Sequence, residues 1–121
     1  MSVLLAGSAG AQTPLARKTL LQQSLPATTI EQVRMDQITL GPGEGAPVHY
    51  HPGEVYGYIV SGEVIYQPAG EPAVTLHPGD AFREMAGKEI AVFKNAQTDK
   101  PATFVAMYLL KQDQPPIIIK K

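Results

Sequence analysis

From Ile30 onward apolar residues recur at short, nearly alternating intervals: Ile30, Val33, Met35, Ile38 and Leu40, closed by Gly41-Pro42-Gly43-Glu44-Gly45. A period of two places successive side chains on opposite faces of a strand. The alternation is imperfect, which predicts a strand partly covered on both faces. Further runs follow at even spacing, each stopped by turn residues. Residues 46–51 end at Pro52-Gly53, and residues 54–60 end at Ser61-Gly62, which reads as a two-residue hairpin. Residues 63–67, 73–77, 81–85 and 90–94 give four more strands, and residues 102–110 form the longest apolar run. No long helical pattern lies between them. About eight short strands separated by Gly/Pro turns predict an all-β domain, a double-sheet jelly roll or small barrel. The 11 glycines and 11 prolines fit this, since proline breaks helices and both residues favour tight turns.

The barrel is expected over residues 30–112, with an arm at 1–29 and a tail at 113–121. The first residues, MSVLLAGSAGAQT, are small and apolar, and Ala9-Gly10-Ala11 before Gln12 resembles a secretory cleavage site. A basic segment ahead of it is missing. Two readings stay open, the end of an export signal (a periplasmic protein) or a flexible or swapped strand-forming arm (a cytoplasmic one). Leu4, Leu5 and the stretch from Ile117 to Ile119 would leave apolar edges bare in a monomer, so a homodimer is expected.

Composition narrows the chemistry. At 121 residues the chain holds one domain, and 44% hydrophobic with 17% charged residues make it globular. The absence of cysteine excludes disulfides, thiolate metal sites and thiol nucleophiles. Ten basic against 11 acidic residues leave no excess to neutralise phosphates, so nucleic acid is not expected as a partner. No apolar run reaches the roughly 18 residues of a membrane helix.

Three histidines remain as candidate chemistry, His49, His51 and His77. The first two, at i and i+2 on a strand, face the same way, and two neutral imidazoles can converge on one transition-metal ion. His77 precedes Pro78-Gly79 and reads as a turn residue.

Gly43, five residues, His49-Tyr50-His51 and then Gly62 resemble the first motif of the cupin superfamily. Gly79-Asp80-Ala81-Phe82, Gly87 and the nearby Asn95 resemble its second. The resemblance implies a double-stranded β-helix with a site in its mouth, often holding iron, manganese, nickel or zinc. It also implies four ligands, two of which fall on His49 and His51. The other two positions, a glutamate and a histidine in that family, carry Val55 and Ile90, neither of which binds metal. Glu84 is the best replacement carboxylate. Glu54 and Glu89 each precede an empty position, and alternation aims both away. Alternatively two imidazoles and water hold an exchangeable ion, or the site is metal-free, an apolar pocket lined by Val55, Ile90, Phe82 and Met107. Among Tyr50, Tyr56, Tyr58 and Tyr66 packing roles are expected, and Arg83 should point opposite to Glu84. The expected function is binding of a small molecule in the cavity, through a divalent metal or without one. The alternative is a metal-dependent enzyme of dioxygenase, isomerase or lyase type acting on a small organic substrate.

Overall fold

Nine strands and no helix make up the described residues, 15–121, of the computed structural model. In chain order they are β1 (Gln32–Leu40), β2 (His49–Tyr50), β3 (Val55–Ser61), β4 (Val64–Pro68), β5 (Val74–Leu76), β6 (Ala81–Glu84), β7 (Ile90–Asn95), β8 (Ala102–Leu110) and β9 (Ile118–Ile119). Leu4, Leu5 and the cleavage-like Ala9-Gly10-Ala11 lie outside the described residues.

The strands form two antiparallel sheets, β9-β2-β7-β4-β5 and β1-β8-β3-β6. The all-β expectation holds, but the two sheets are not closed into a barrel. They face each other as a sandwich, and the chain crosses between them at every connection except the β4–β5 hairpin.

That crossing corrects the reading of Ser61-Gly62. β3 and β4 lie in different sheets, so this turn is a corner rather than a hairpin. Gly62 sits at φ 80°, where a Cβ would stand 2.7 Å from the Cα of Ala102. Only glycine combines that left-handed backbone with so close an approach to the start of β8.

The inner faces meet in an aromatic core. Phe93 touches Phe104 at a ring-centroid distance of 4.9 Å and Phe82 at 5.4 Å, with Tyr66 at 6.0 Å from Phe82. Ile59, Val64 and Ile90 are fully buried around them. One buried polar residue holds the loop before β8. The Asn95 amide donates to the carbonyls of Lys100 (2.6 Å) and Gly41 (3.1 Å), and its Oδ1 accepts from the Gln97 N–H (2.9 Å). Asn95→Ala would leave those partly buried partners unpaired, at about 1–3 kcal/mol for each group that water cannot reach. Thermal denaturation should show a loss of about 2–4 kcal/mol, roughly 10 °C in Tm; an unchanged Tm would deny the loop this anchor.

The C-terminal segment carries a strand. Ile118 pairs with Tyr50 and Ile119 with His49, so β9 extends the first sheet beyond β2. The Lys120 N–H donates to the Val48 carbonyl at 2.9 Å, and its ammonium pairs with Glu89. The segment thereby becomes a strap across one end of the sandwich, beside the histidines.

Candidate metal centre

His49 lies on β2, between Ile119 of β9 and Ile90 of β7, and His51 follows two residues later on the same side. Both are buried, 3% and 4% exposed, and their rings meet edge to face at 4.9 Å. Glu84, at the end of β6 in the opposite sheet, is also buried at 3%. Its Oε1 stands 2.6 Å from His51 Nε2 and 3.6 Å from His49 Nε2.

Backbone carbonyls fix which nitrogen faces Glu84. His49 Nδ1 lies 2.7 Å from the Pro47 carbonyl, and His51 Nδ1 lies 2.7 Å from that of Pro116. A carbonyl only accepts, so each Nδ1 carries the hydrogen and donates it. Each Nε2 is then free to present a lone pair to the carboxylate. At 2.6 Å, His51 Nε2 and Glu84 Oε1 are in hydrogen-bond contact, and a metal held by both would take them as adjacent ligands roughly 3 Å apart. Orientation by an outer carbonyl is also what keeps ligating histidines in place. The three ligand atoms all lie within 4.8 Å of one another, close to the roughly 4 Å that separates two ligands on opposite sides of one ion. The residues present therefore fit a divalent metal.

Electrostatics agree. Burial opposes the charge of Glu84, yet the nearby His49 and His51 outweigh it and hold the carboxyl below the usual range. For His49 burial opposes protonation, and Glu84 with the Pro47 carbonyl outweighs it, so its pKa is raised.

The two positions at which the resemblance expected ligands are occupied by cross-strand partners of the ones present. Val55 pairs with Glu84, and Ile90 pairs with His49. The carboxylate present thus lies one strand sideways of the expected position, on β6 rather than β3, and reaches the imidazoles.

These groups line a cavity of about 290 Å³ between the sheets, with Val55 and Phe82 in its wall. Ile90 and Met107, expected there, are not among its lining residues. Ile90 is buried in the core at 1% exposure, and Met107 lies on the outer face of β8, opposite Tyr56 of β3. The side chain of β8 that lines the cavity is Tyr108. The run of residues 102–110 is apolar on both faces, so its pattern carries no phase, and Met107 and Tyr108 could not be told apart from it.

Other lining residues were not foreseen either, three of which bear on the chemistry. Arg34 and Asp36 of β1 join the wall, as does Pro116 of the strap. In β1 the usual phase is inverted, since Val33 and Met35 are exposed (59% and 66%) while the charged alternates line the cavity. Phase inversion of this kind, visible as Val33-Arg34-Met35-Asp36, is the signal that could have marked them.

The remaining candidates lie elsewhere. Glu54 accepts hydrogen bonds from Arg83 (2.6 Å), Tyr56 (2.9 Å) and the Ala86 N–H (2.9 Å) outside the cavity. Glu89 pairs with Lys120, and the Tyr66 hydroxyl donates to the Arg83 carbonyl. Tyr58 is exposed, and Tyr50 is half-buried on β2. His77 is exposed in its turn, beside Asp80 and Glu63.

Known proteins share this fold. The family described as Cupin domain matches residues 37–108, over half of the chain. No curated protein matches the sequence. Among solved structures, a DMSP lyase from Ruegeria pomeroyi is similar at 20% identity and a TM-score of 0.62, over 73% of this chain and 43% of that one. Oxalate oxidase in complex with the substrate analogue glycolate is similar at 21% identity and a TM-score of 0.62, over 72% of this chain and 45% of its own. A cupin-like protein from Thermotoga maritima follows at 20% and 0.61, over 73% and 64%. The chain thus spans less than half the length of the lyase and the oxidase. At these identities the likeness is one of fold.

Proposed function

The chain belongs to the cupin family, and from that premise we propose that it binds a divalent transition metal through His49, His51 and Glu84 and holds a small molecule against it. The observation that carries this reading is the pair of Nδ1–H···O=C bonds, which aim both Nε2 lone pairs at the Glu84 carboxylate. Two imidazoles and one carboxylate suit iron(II) or manganese(II), with positions left open for a ligand. Calorimetric titration of untagged protein with manganese(II) or zinc(II) should show one site per chain. Absence of binding at micromolar concentration would leave the metal-free pocket instead.

The second reading is a metal-dependent enzyme. It is favoured by the size of the ligand set, since His49, His51 and Glu84 offer one ligand atom each and a divalent ion held by them would take further ligands from the cavity they line. A bound metal would supply Lewis acidity or oxygen activation there. Two of the similar structures are a lyase and an oxidase, which supports a small organic substrate.

The two charge shifts give a test with opposite signs. The lowered carboxyl of Glu84 stabilises the metal-free fold above the ordinary carboxylate range and loses that contribution as pH falls through its folded value. The raised imidazole of His49 stabilises it below the ordinary histidine value and loses that as pH rises through the folded one. Metal-free protein should therefore lose Tm as pH rises past the histidine range. Metal-loaded protein should gain Tm over the same range, because ligation needs the neutral imidazoles. Parallel slopes in the two forms would contradict the site.

A homodimer is proposed as well. The outer face of β1-β8-β3-β6 exposes Val33, Met35, Tyr58 and Val60 at 41–66%. A contiguous apolar sheet face of this kind is one that monomers avoid. Light scattering should return twice the 13.0 kDa chain mass, and a single-chain mass at micromolar concentration would refute it.

A further inference from the structure

Strand register arranges the cavity's polar groups in one line. Arg34 of β1 pairs with Tyr108 of β8, Tyr108 pairs with Val55 of β3, and Val55 pairs with Glu84 of β6. The four residues form a single row across the whole sheet, and all four line the cavity. With strands about 4.8 Å apart, the backbones of Arg34 and Glu84 stand about 14 Å from each other. The side chains reach inward from both ends, which leaves a short span between the guanidinium and the candidate metal. The next inward-facing position of β1, Asp36, pairs with Ala106.

Two groups in this row lack partners of their own. Tyr108 is buried at 6% exposure, and its hydroxyl makes no hydrogen bond among the described residues. Burial first, then Asp36 and Glu84, push that phenol up to about 12, so at neutral pH it keeps its proton and acts as a donor. Arg34 engages Asp36 through Nε alone, at 3.0 Å, and its terminal nitrogens bond to no described residue. For the buried Tyr108 hydroxyl an unpaired donor is costly unless a ligand acceptor meets it, whereas the exposed Arg34 nitrogens are simply free to take one.

Charge sets the sign of that ligand. A divalent ion, the Glu84 and Asp36 carboxylates and the Arg34 guanidinium sum to one positive charge, both histidines being neutral. The remaining walls are apolar, and an uncompensated charge in such a cavity is unfavourable. A monoanion restores neutrality.

We propose that the ligand is a small monocarboxylate whose carboxylate is held by the terminal nitrogens of Arg34 and the Tyr108 hydroxyl, with its other end at the metal. Arg34 supplies the planar fork that matches a carboxylate. Tyr108 supplies a further donor, and its bond to a charged carboxylate is stronger than one to a neutral acceptor. The apolar walls, among them Phe82, Phe93 and Phe104, accept the hydrocarbon part, and the volume keeps that part small. The charge sum rests on the metal reading, whereas the two unpartnered donors do not.

The test is calorimetric titration of zinc-loaded and metal-free protein with propionate, butyrate and benzoate, each beside its neutral amide. At least one carboxylate should bind at least tenfold tighter than its amide. Arg34→Gln and Tyr108→Phe should each weaken it by about tenfold or more while leaving zinc affinity unchanged. Arg34 is largely exposed and Tyr108→Phe keeps the ring, so both variants should fold. Equal binding of acid and amide, or no binding of any acid, would overturn the proposal; full retention in both variants with loss in His51→Ala would place the carboxylate on the metal and overturn it as well. Failure of the zinc titration with retained, Arg34-dependent carboxylate binding would sink the metal reading alone.

Discussion

Exchanging the carboxylate across one strand pair should first abolish and then restore metal binding. In Glu84→Val the ion would keep two neutral imidazoles, and its full charge would sit in an apolar cavity. Outer partners of metal ligands already matter by about 10–100-fold in affinity, so loss of a direct ligand should cost at least about 100-fold. Val55 is the Cα partner of Glu84 and lines the same cavity. Adding Val55→Glu to Glu84→Val therefore returns a carboxylate to the same face, one strand over. The double variant should regain most of the lost affinity for manganese(II), read by calorimetry. A double variant as weak as Glu84→Val would show that the two positions do not serve the same ion.

Removing residues 115–121 should lower metal affinity by about 10–100-fold, although none of them is a candidate ligand. The Pro116 carbonyl accepts the His51 Nδ1 hydrogen, and it reaches that position because β9 pairs with β2. Without the strap the His51 ring is free to turn, and its tautomer is no longer fixed. Ile117 also leaves the cavity wall. Long-range ¹⁵N–¹H spectra of metal-free protein should show one Nδ1–H tautomer for neutral His51 in the full chain and a mixture in the shortened one. Because the truncation also bares the edge of β2, the Pro115→Gly/Pro116→Gly variant serves as a milder companion. It keeps every carbonyl but loosens the chain, and a smaller loss of affinity is expected. Unchanged affinity in both variants would remove the strap from the site.

Much of this was legible in the residues, for reasons that also mark where it stopped. His49-Tyr50-His51 is a period-two pattern bounded by Pro52-Gly53, so its facing was fixed by local geometry. Glu84 followed from its place between Gly79 and Gly87 on a strand that had to line the site. Its burial was not readable, because a lone glutamate in Ala81-Phe82-Arg83-Glu84 looks like a solvated strand residue. The open sandwich, in place of a closed barrel, depends on long-range pairing, which no local pattern encodes. The same holds for β9, since Ile117 to Ile119 reads as an apolar tail until β2 is there to receive it. Arg34 and Tyr108 were hidden for opposite reasons. On β1 the charged residues occupy the phase normally given to apolar ones, and on β8 both phases are apolar.

The cavity reading and the metal reading meet in one place, the shared approach of His49, His51 and Glu84. The most direct test is the metal content of untagged, unmutated protein after saturation with manganese(II) or zinc(II) and removal of free ion, measured beside His51→Ala and Glu84→Gln. One ion per chain in the unmutated protein and far less in both variants is the expected result. A metal-free unmutated protein, or equal content in all three, would contradict the site.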